Sequence, residues 1–247
     1  MTAFLVRPDK PAIAYKYRPG RGPTIVFLPG YRSDMEGGKA VALDAWAGRE
    51  GRAMLRLDYS GCGASEGCFE DGTLAMWRDD VLDLIDAFVP SGPIIIVGSS
   101  MGGWLALLVA LRLGARVQAL VGIAAAPDFT DWDSSEAKIE ALRRDGRFEE
   151  PSDYGDEPDV LTLGFWESGQ AHLLLGGEIA YDGPVRLLQG QQDSVVPVSI
   201  ALRLSRALRS ADVQTILVKD GDHRLSREGD IGLLLVTVGQ LLSVLDE

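Results

Sequence analysis

Short apolar runs alternate with longer segments of helical spacing along most of the chain. Thr24–Leu28, Ala53–Leu57, Ile94–Val97, Val117–Ile123, Val185–Leu188 and Val213–Val218 each read as a buried strand, rich in β-branched and aliphatic residues. Between them, Lys39–Glu50 carries alanines at helical spacing, and Thr73–Val89 places Trp77, Val81, Leu84, Ile85 and Phe88 on one face. Trp104–Leu111, the stretch from Pro197 to about Arg209, and a segment from about Gly229 to the end complete the predicted helices. Ala12–Tyr17 alternates loosely and reads as an edge strand closed by Pro19-Gly20. Alternation of this kind predicts an α/β fold, a mostly parallel sheet with helices on both faces.

The rhythm fails between Asp128 and Asp182. Helical spacing returns only at Glu136–Arg143 and Val160–Leu175, on either side of a loop dense in Asp, Glu, Pro and Gly. We read residues 1–247 as a single domain and 128–182 as a short helical lid insertion within it. Leu161, Leu163, Phe165, Trp166, Leu173 and Leu174 are the insertion's apolar residues. They are expected either to wall an acyl groove or to glue the insertion to the core.

The 247 residues are 46% hydrophobic and 24% charged, enough for a sizeable core, and the formal net charge of −12 argues against a nucleic-acid partner. No uninterrupted apolar run, Leu233–Val236 among them, approaches the length of a bilayer span, so no integral membrane association is expected. The first residues lack the basic-then-apolar pattern of a signal peptide, and a cytoplasmic location is the expectation. Cys62 and Cys68 share one glycine-rich loop and are expected as free thiols. No Cys/His spacing suits a metal, and Gly61-Cys62-Gly63-Ala64-Ser65 lacks the third glycine of a dinucleotide loop. No cofactor is expected.

The chemistry centres on Gly98-Ser99-Ser100-Met101-Gly102, between a strand and a helix. In the G-x-S-x-G nucleophile elbow a tight, strained turn lifts the serine hydroxyl above the sheet. A serine nucleophile needs a base and a group that orients the base. Of the two histidines, His223 follows the last predicted strand, at the sheet edge where ligands bind in such folds. His172 lies in the insertion and reads as a lid or helix-surface residue. For the acid, Asp193 follows a strand directly, whereas Asp182 precedes one and Asp222 adjoins His223 in the chain. Chain order and strand-end position favour Asp193. Two backbone donors, the N–H groups of Met101 and of Tyr31 after Pro29-Gly30, are candidates for an oxyanion hole.

Taken together, Leu28-Pro29-Gly30-Tyr31-Arg32-Ser33-Asp34-Met35, Thr73-Leu74-Ala75-Met76-Trp77-Arg78-Asp79-Asp80-Val81, Gly98–Trp104 and Asp222-His223-Arg224-Leu225 resemble one branch of the α/β-hydrolase superfamily. Leu57-Asp58-Tyr59-Ser60-Gly61-Cys62-Gly63-Ala64-Ser65 is similar to a loop of many of its members. That branch holds the mitochondrial acyl-protein (palmitoyl-protein) thioesterases and acyl-glucuronide esterases. The resemblance implies a serine hydrolase with the triad Ser100, Asp193 and His223, and oxyanion donors at Tyr31 and Met101. The implied substrate is an ester or thioester of an apolar acyl group, on a small molecule or an acylated protein. An amidase or acyl-lactone hydrolase with the same triad, or a non-catalytic binding protein on the fold, are the alternatives. Oligomeric state is not legible.

Overall fold

The computed structural model describes residues 2–151 and 158–246. Its strands are β1 (Ala3–Arg7), β2 (Lys10–Arg18), β3 (Arg21–Leu28), β4 (Arg52–Leu57), β5 (Ile94–Ser99), β6 (Val117–Ile123), β7 (Arg147–Glu150), β8 (Asp159–Thr162), β9 (Val185–Gly190) and β10 (Val213–Val218). The helices are α1 (Gly38–Arg49), α2 (Leu74–Phe88), α3 (Met101–Leu113), α4 (Phe129–Trp132), α5 (Glu136–Asp145), α6 (Leu163–Gln170), α7 (Val198–Ala207) and α8 (Glu228–Leu245). Eight strands form one sheet in the order β1-β2-β4-β3-β5-β6-β9-β10. The pairs β1/β2 and β2/β4 are antiparallel, and the rest are parallel.

The period of two separates the strand residues into two cores even where every position is buried. Val26, Leu28, Ile94 and Ile96 join the core built with α2, α3 and α7, through residues such as Trp77, Trp104 and Ile200. Ile25, Phe27, Ile95 and Val97 join the opposite core with α1 and α8, through Leu43, Leu234 and Val238. The sheet is thus covered on both faces, as predicted.

Three expectations need correction. The edge strand is β1, which pairs with the predicted one; its Phe4 and Val6 are exposed, so no buried face marked it. The predicted helix at Val160–Leu175 is shorter, because Asp159–Thr162 pairs with Arg147–Glu150 as a small antiparallel sheet. Thr162 accepts the Phe165 N–H at 3.2 Å through its hydroxyl and, extended itself, starts α6 only at Leu163. Beyond α6, the buried Asp128 carboxylate binds the N–H groups of Leu174 and Leu175 at 2.7–3.0 Å, tying the two ends of the segment together. The acidic loop expected between Arg143 and Val160 is in part the strand β7, and its residues 152–157 lie outside the described residues.

The third concerns α8. At 18 residues it is long and apolar enough to cross a membrane by length and composition, which a count of uninterrupted apolar runs overlooks. In this fold Leu234, Val238, Leu241 and Leu242 lie buried in the core shared with α1 and the sheet.

Candidate active site

β5 ends in the elbow. Ser100 has φ 52° and ψ −121°, a left-handed strain that its hydrogen bonds impose: its N–H donates to Ile123 O (2.8 Å), while its carbonyl accepts from Gly103 (2.8 Å) and Ala126 (3.1 Å). The flanking glycines are a steric necessity. A Cβ on Gly98 would lie 2.2 Å from Gly102 O, and one on Gly102 would lie 2.2 Å from Leu28 O.

The loops after β9 and β10 bring the candidate acid and the candidate base together. His223 Nδ1 lies 3.0 Å from Asp193 Oδ2, across 30 residues of sequence. The Asp193 side chain is fully buried, and its other bonds come from Val195 N–H (2.9 Å), Val196 N–H (2.8 Å) and Gln189 Nε2 (3.0 Å). Burial alone would raise its pKa, but the bonds from His223, Val196 and Val195 outweigh it and hold the carboxyl below its ordinary value. An ionised carboxylate only accepts, so Nδ1 carries the proton and Nε2 is left as the basic nitrogen.

A carboxyl whose pKa is depressed by folding contributes stability that is complete above about pH 4 and is lost as pH falls through the folded-state value. The Tm advantage of the wild type over Asp193→Asn is therefore expected to be largest above about pH 5 and to shrink towards pH 3. A melting series across that range checks it, and an advantage that grows in acid would contradict the assignment.

The other candidates are engaged elsewhere. Asp182 forms an exposed pair with Arg209 (2.6 and 2.7 Å), and Asp222 accepts the Leu225 N–H (2.9 Å). His172 has both ring nitrogens occupied, Nδ1 by Ser168 O (2.7 Å) and Nε2 by Arg78 Nη1 (3.0 Å), so it bridges α6 and α2.

Ser100 and His223 open onto one cavity of about 580 Å³, which Gly30, Tyr31 and Met101 also line. Met101 opens α3, so its N–H has no partner within the helix. Gly30 brings the loop after β3 against the elbow: a Cβ there would meet Ser100 Cβ at 3.3 Å. Tyr31 follows it, half-buried on the cavity wall. At the far side, Lys39 Nζ donates to Arg224 O and ties α1 to the loop of His223; burial lowers the Lys39 pKa from its ordinary value.

One wall comes from the segment 128–182, but through different residues from those expected. Phe129, Trp132, Val160 and Leu161 line the cavity; of the six expected apolar residues, only Leu161 does. Phe165 packs in the core against Tyr31, Trp77 and Phe129, Trp166 is held by Thr130 O (3.0 Å), and Leu173 is exposed. Sequence reasoning also missed Gln189, a polar residue closing an apolar strand, whose amide binds Asp193, Gly190 O and Val196 O. Cys62 is buried and Cys68 exposed, unbonded to each other; burial pushes the Cys62 thiol up to about 12. Among the described residues, no group of three or more His, Cys, Asp or Glu is placed to hold a metal.

An eight-stranded, mostly parallel sheet with an elbow serine at its carboxyl edge is the architecture of α/β-hydrolases. The chain belongs to the alpha/beta hydrolase family, whose defining pattern matches residues 25–239. It is 39% identical, over 98% of its length and 80% of the relative's, to the human protein named mitochondrial palmitoyl-protein thioesterase ABHD10. Among solved structures it is similar to the mouse alpha/beta hydrolase domain-containing protein 10 (TM-score 0.92, 39% identity, 99% of both chains). A putative hydrolase from Agrobacterium vitis S4 is equally near in fold (TM-score 0.92, 40% identity, 98% of both chains). The expected cytoplasmic location is corrected by these comparisons. The matching curated relatives are named mitochondrial, which points away from the cytoplasm. Compartment is set by a separable address that neither surface charge nor fold records.

Proposed function

We propose that the chain is a cofactor-independent serine hydrolase cleaving carboxylic esters or thioesters of apolar acyl groups through an acyl-enzyme on Ser100. Small-molecule esters, including acyl-glucuronide-like ones, and S-acylated proteins are the substrate classes in view. The observation that carries this reading is the strained elbow serine sharing a cavity with His223, whose Nδ1 is held by a buried, ionised Asp193.

In this mechanism His223 Nε2 takes the Ser100 proton as Oγ attacks the acyl carbonyl. The N–H groups of Tyr31 and Met101 receive the developing oxyanion, and Asp193 stabilises the imidazolium. Collapse breaks the bond to the leaving group, which takes the proton from His223 and departs as a thiol or alcohol. Water, deprotonated by His223, then attacks the acyl-enzyme; the acid is released and Ser100 regains its proton. Amides are expected to be much slower, since amine departure depends on well-placed protonation by His223.

The segment 128–182 serves as the lid, with Phe129, Trp132, Val160 and Leu161 as the acyl-binding wall. Each added methylene should gain up to about 0.8 kcal/mol, somewhat under fourfold in kcat/KM, until the wall is covered. The test is kcat/KM for acyl chains of increasing length on a common leaving group. Trp132→Ala is expected to flatten the rise, and a flat profile in the wild type would refute the acyl assignment.

A further inference from the structure

The proposed mechanism uses only the backbone of Tyr31, yet its side chain is among the most heavily held in the molecule. Its ring meets Phe69, Phe129 and Phe165 edge-on at centroid distances of 5.1, 6.0 and 5.0 Å. Phe129 and Phe165 belong to α4 and α6 of the lid. The hydroxyl, its pKa raised by burial, donates to the carbonyl of Val160 on β8 at 2.7 Å. Arg32 next to it donates to Pro158 O at 2.5 Å. Two successive residues of the loop after Gly30 therefore grip the backbone of the lid strand that lines the acyl side of the cavity and of the residue just before it.

The ends of the same loop are fastened to the sheet instead. Tyr59 donates its hydroxyl to Pro29 O (3.0 Å), Asp58 accepts the Met35 N–H (2.7 Å), and Arg56 donates to Met35 O (2.6 Å). A loop pinned at both ends and gripped in its middle by a separate element bends at that middle when the element shifts. One of the two gripped residues is Tyr31, whose ring is two side-chain torsions away from its own N–H.

We infer that Tyr31 is a positioning residue that couples occupancy of the acyl wall beneath β8 to the alignment of its own N–H in the oxyanion hole. The inference rests on the proposed serine-hydrolase reading. Hydrogen bonds weaken steeply with misalignment, so a lid seated on an acyl chain sharpens the donor only when the chain is present. Binding energy from the remote end of the substrate is then expressed in kcat rather than in KM alone.

The experiment is the separate measurement of kcat and KM for p-nitrophenyl esters from acetyl to decanoyl, in the wild type, Tyr31→Phe and Arg32→Met. In the wild type kcat is expected to rise with chain length while KM falls. Tyr31→Phe should keep the fall in KM but lose about fivefold in kcat on decanoyl ester, the equivalent of one net hydrogen bond of about 1 kcal/mol. On acetyl ester its loss should be clearly smaller than on decanoyl ester. Arg32→Met should give the same split, and it carries the test should Tyr31→Phe fail to fold. An equal loss at every chain length, or a wild-type kcat independent of chain length, overturns the coupling. Absence of any turnover, with no fluorophosphonate labelling of Ser100, would instead sink the hydrolase reading itself.

Discussion

Ser100→Ala lowers kcat/KM on every ester or thioester substrate by at least about 10⁴-fold, with the fold intact, if the elbow serine is the nucleophile. Loss of the nucleophile from a serine triad costs orders of magnitude more than loss of a contact, because the covalent path disappears with it. The structure adds a stability signature. Position 100 sits at φ 52°, where alanine is as strained as serine but glycine is not. Strain of this kind costs about 1–3 kcal/mol, against which glycine loses up to about 1 kcal/mol through the greater freedom of its unfolded chain. Ser100→Gly is therefore expected to melt a few degrees above Ser100→Ala, at about 2–4 °C per kcal/mol for a chain of this size, while being equally inactive. Esterase assays and melting curves of both variants check the two halves. More than a few per cent residual turnover in Ser100→Ala would remove the serine from the mechanism.

The second large effect separates the two histidines. His223→Ala should approach the loss in Ser100→Ala, because without its imidazole Asp193 has no base left to orient. His172→Ala should leave kcat within a few-fold. Its ring nitrogens are spent on Ser168 O and Arg78, and its removal deletes both bonds at a part-buried junction of α6 and α2, leaving Arg78 its pair with Asp79. The cost there is stability, about 1–3 kcal/mol, read as a lowered Tm. The reverse outcome, with His172→Ala inactive and His223→Ala active, would mean that the base has been placed on the wrong loop.

The sequence by itself determined the parts that depend on local pattern. Runs such as Ile94–Val97 and Val185–Leu188 read as buried strands from their own residues, and in Gly98-x-Ser100-x-Gly102 the clash that bars a Cβ on Gly98 is a local one, with Gly102 four residues on. The placement of His223 and Asp193 at one sheet edge was legible because each comes just after a strand, and parallel strands deliver their trailing loops to one edge of the sheet. Only the tertiary structure decided how they meet. Asp193 and Asp222 are equally acidic in the sequence, and the choice rests on which carboxylate reaches Nδ1, a 3.0 Å contact that the side-by-side pairing of β9 and β10 makes possible.

The lid shows where local pattern stops informing. Leu161 and Trp166 look alike as apolar residues of one segment, yet the first faces the cavity and the second is held by Thr130 O. Thr162, extended and capping α6, turns the preceding four residues into a strand. A short segment with no periodicity of its own takes its orientation from what it packs on. Here that partner is the loop after β3, more than a hundred residues earlier, through the Tyr31 hydroxyl and the Val160 carbonyl. Such a contact joins a side chain to a backbone carbonyl, which every residue carries, so no choice of amino acid at position 160 announces it.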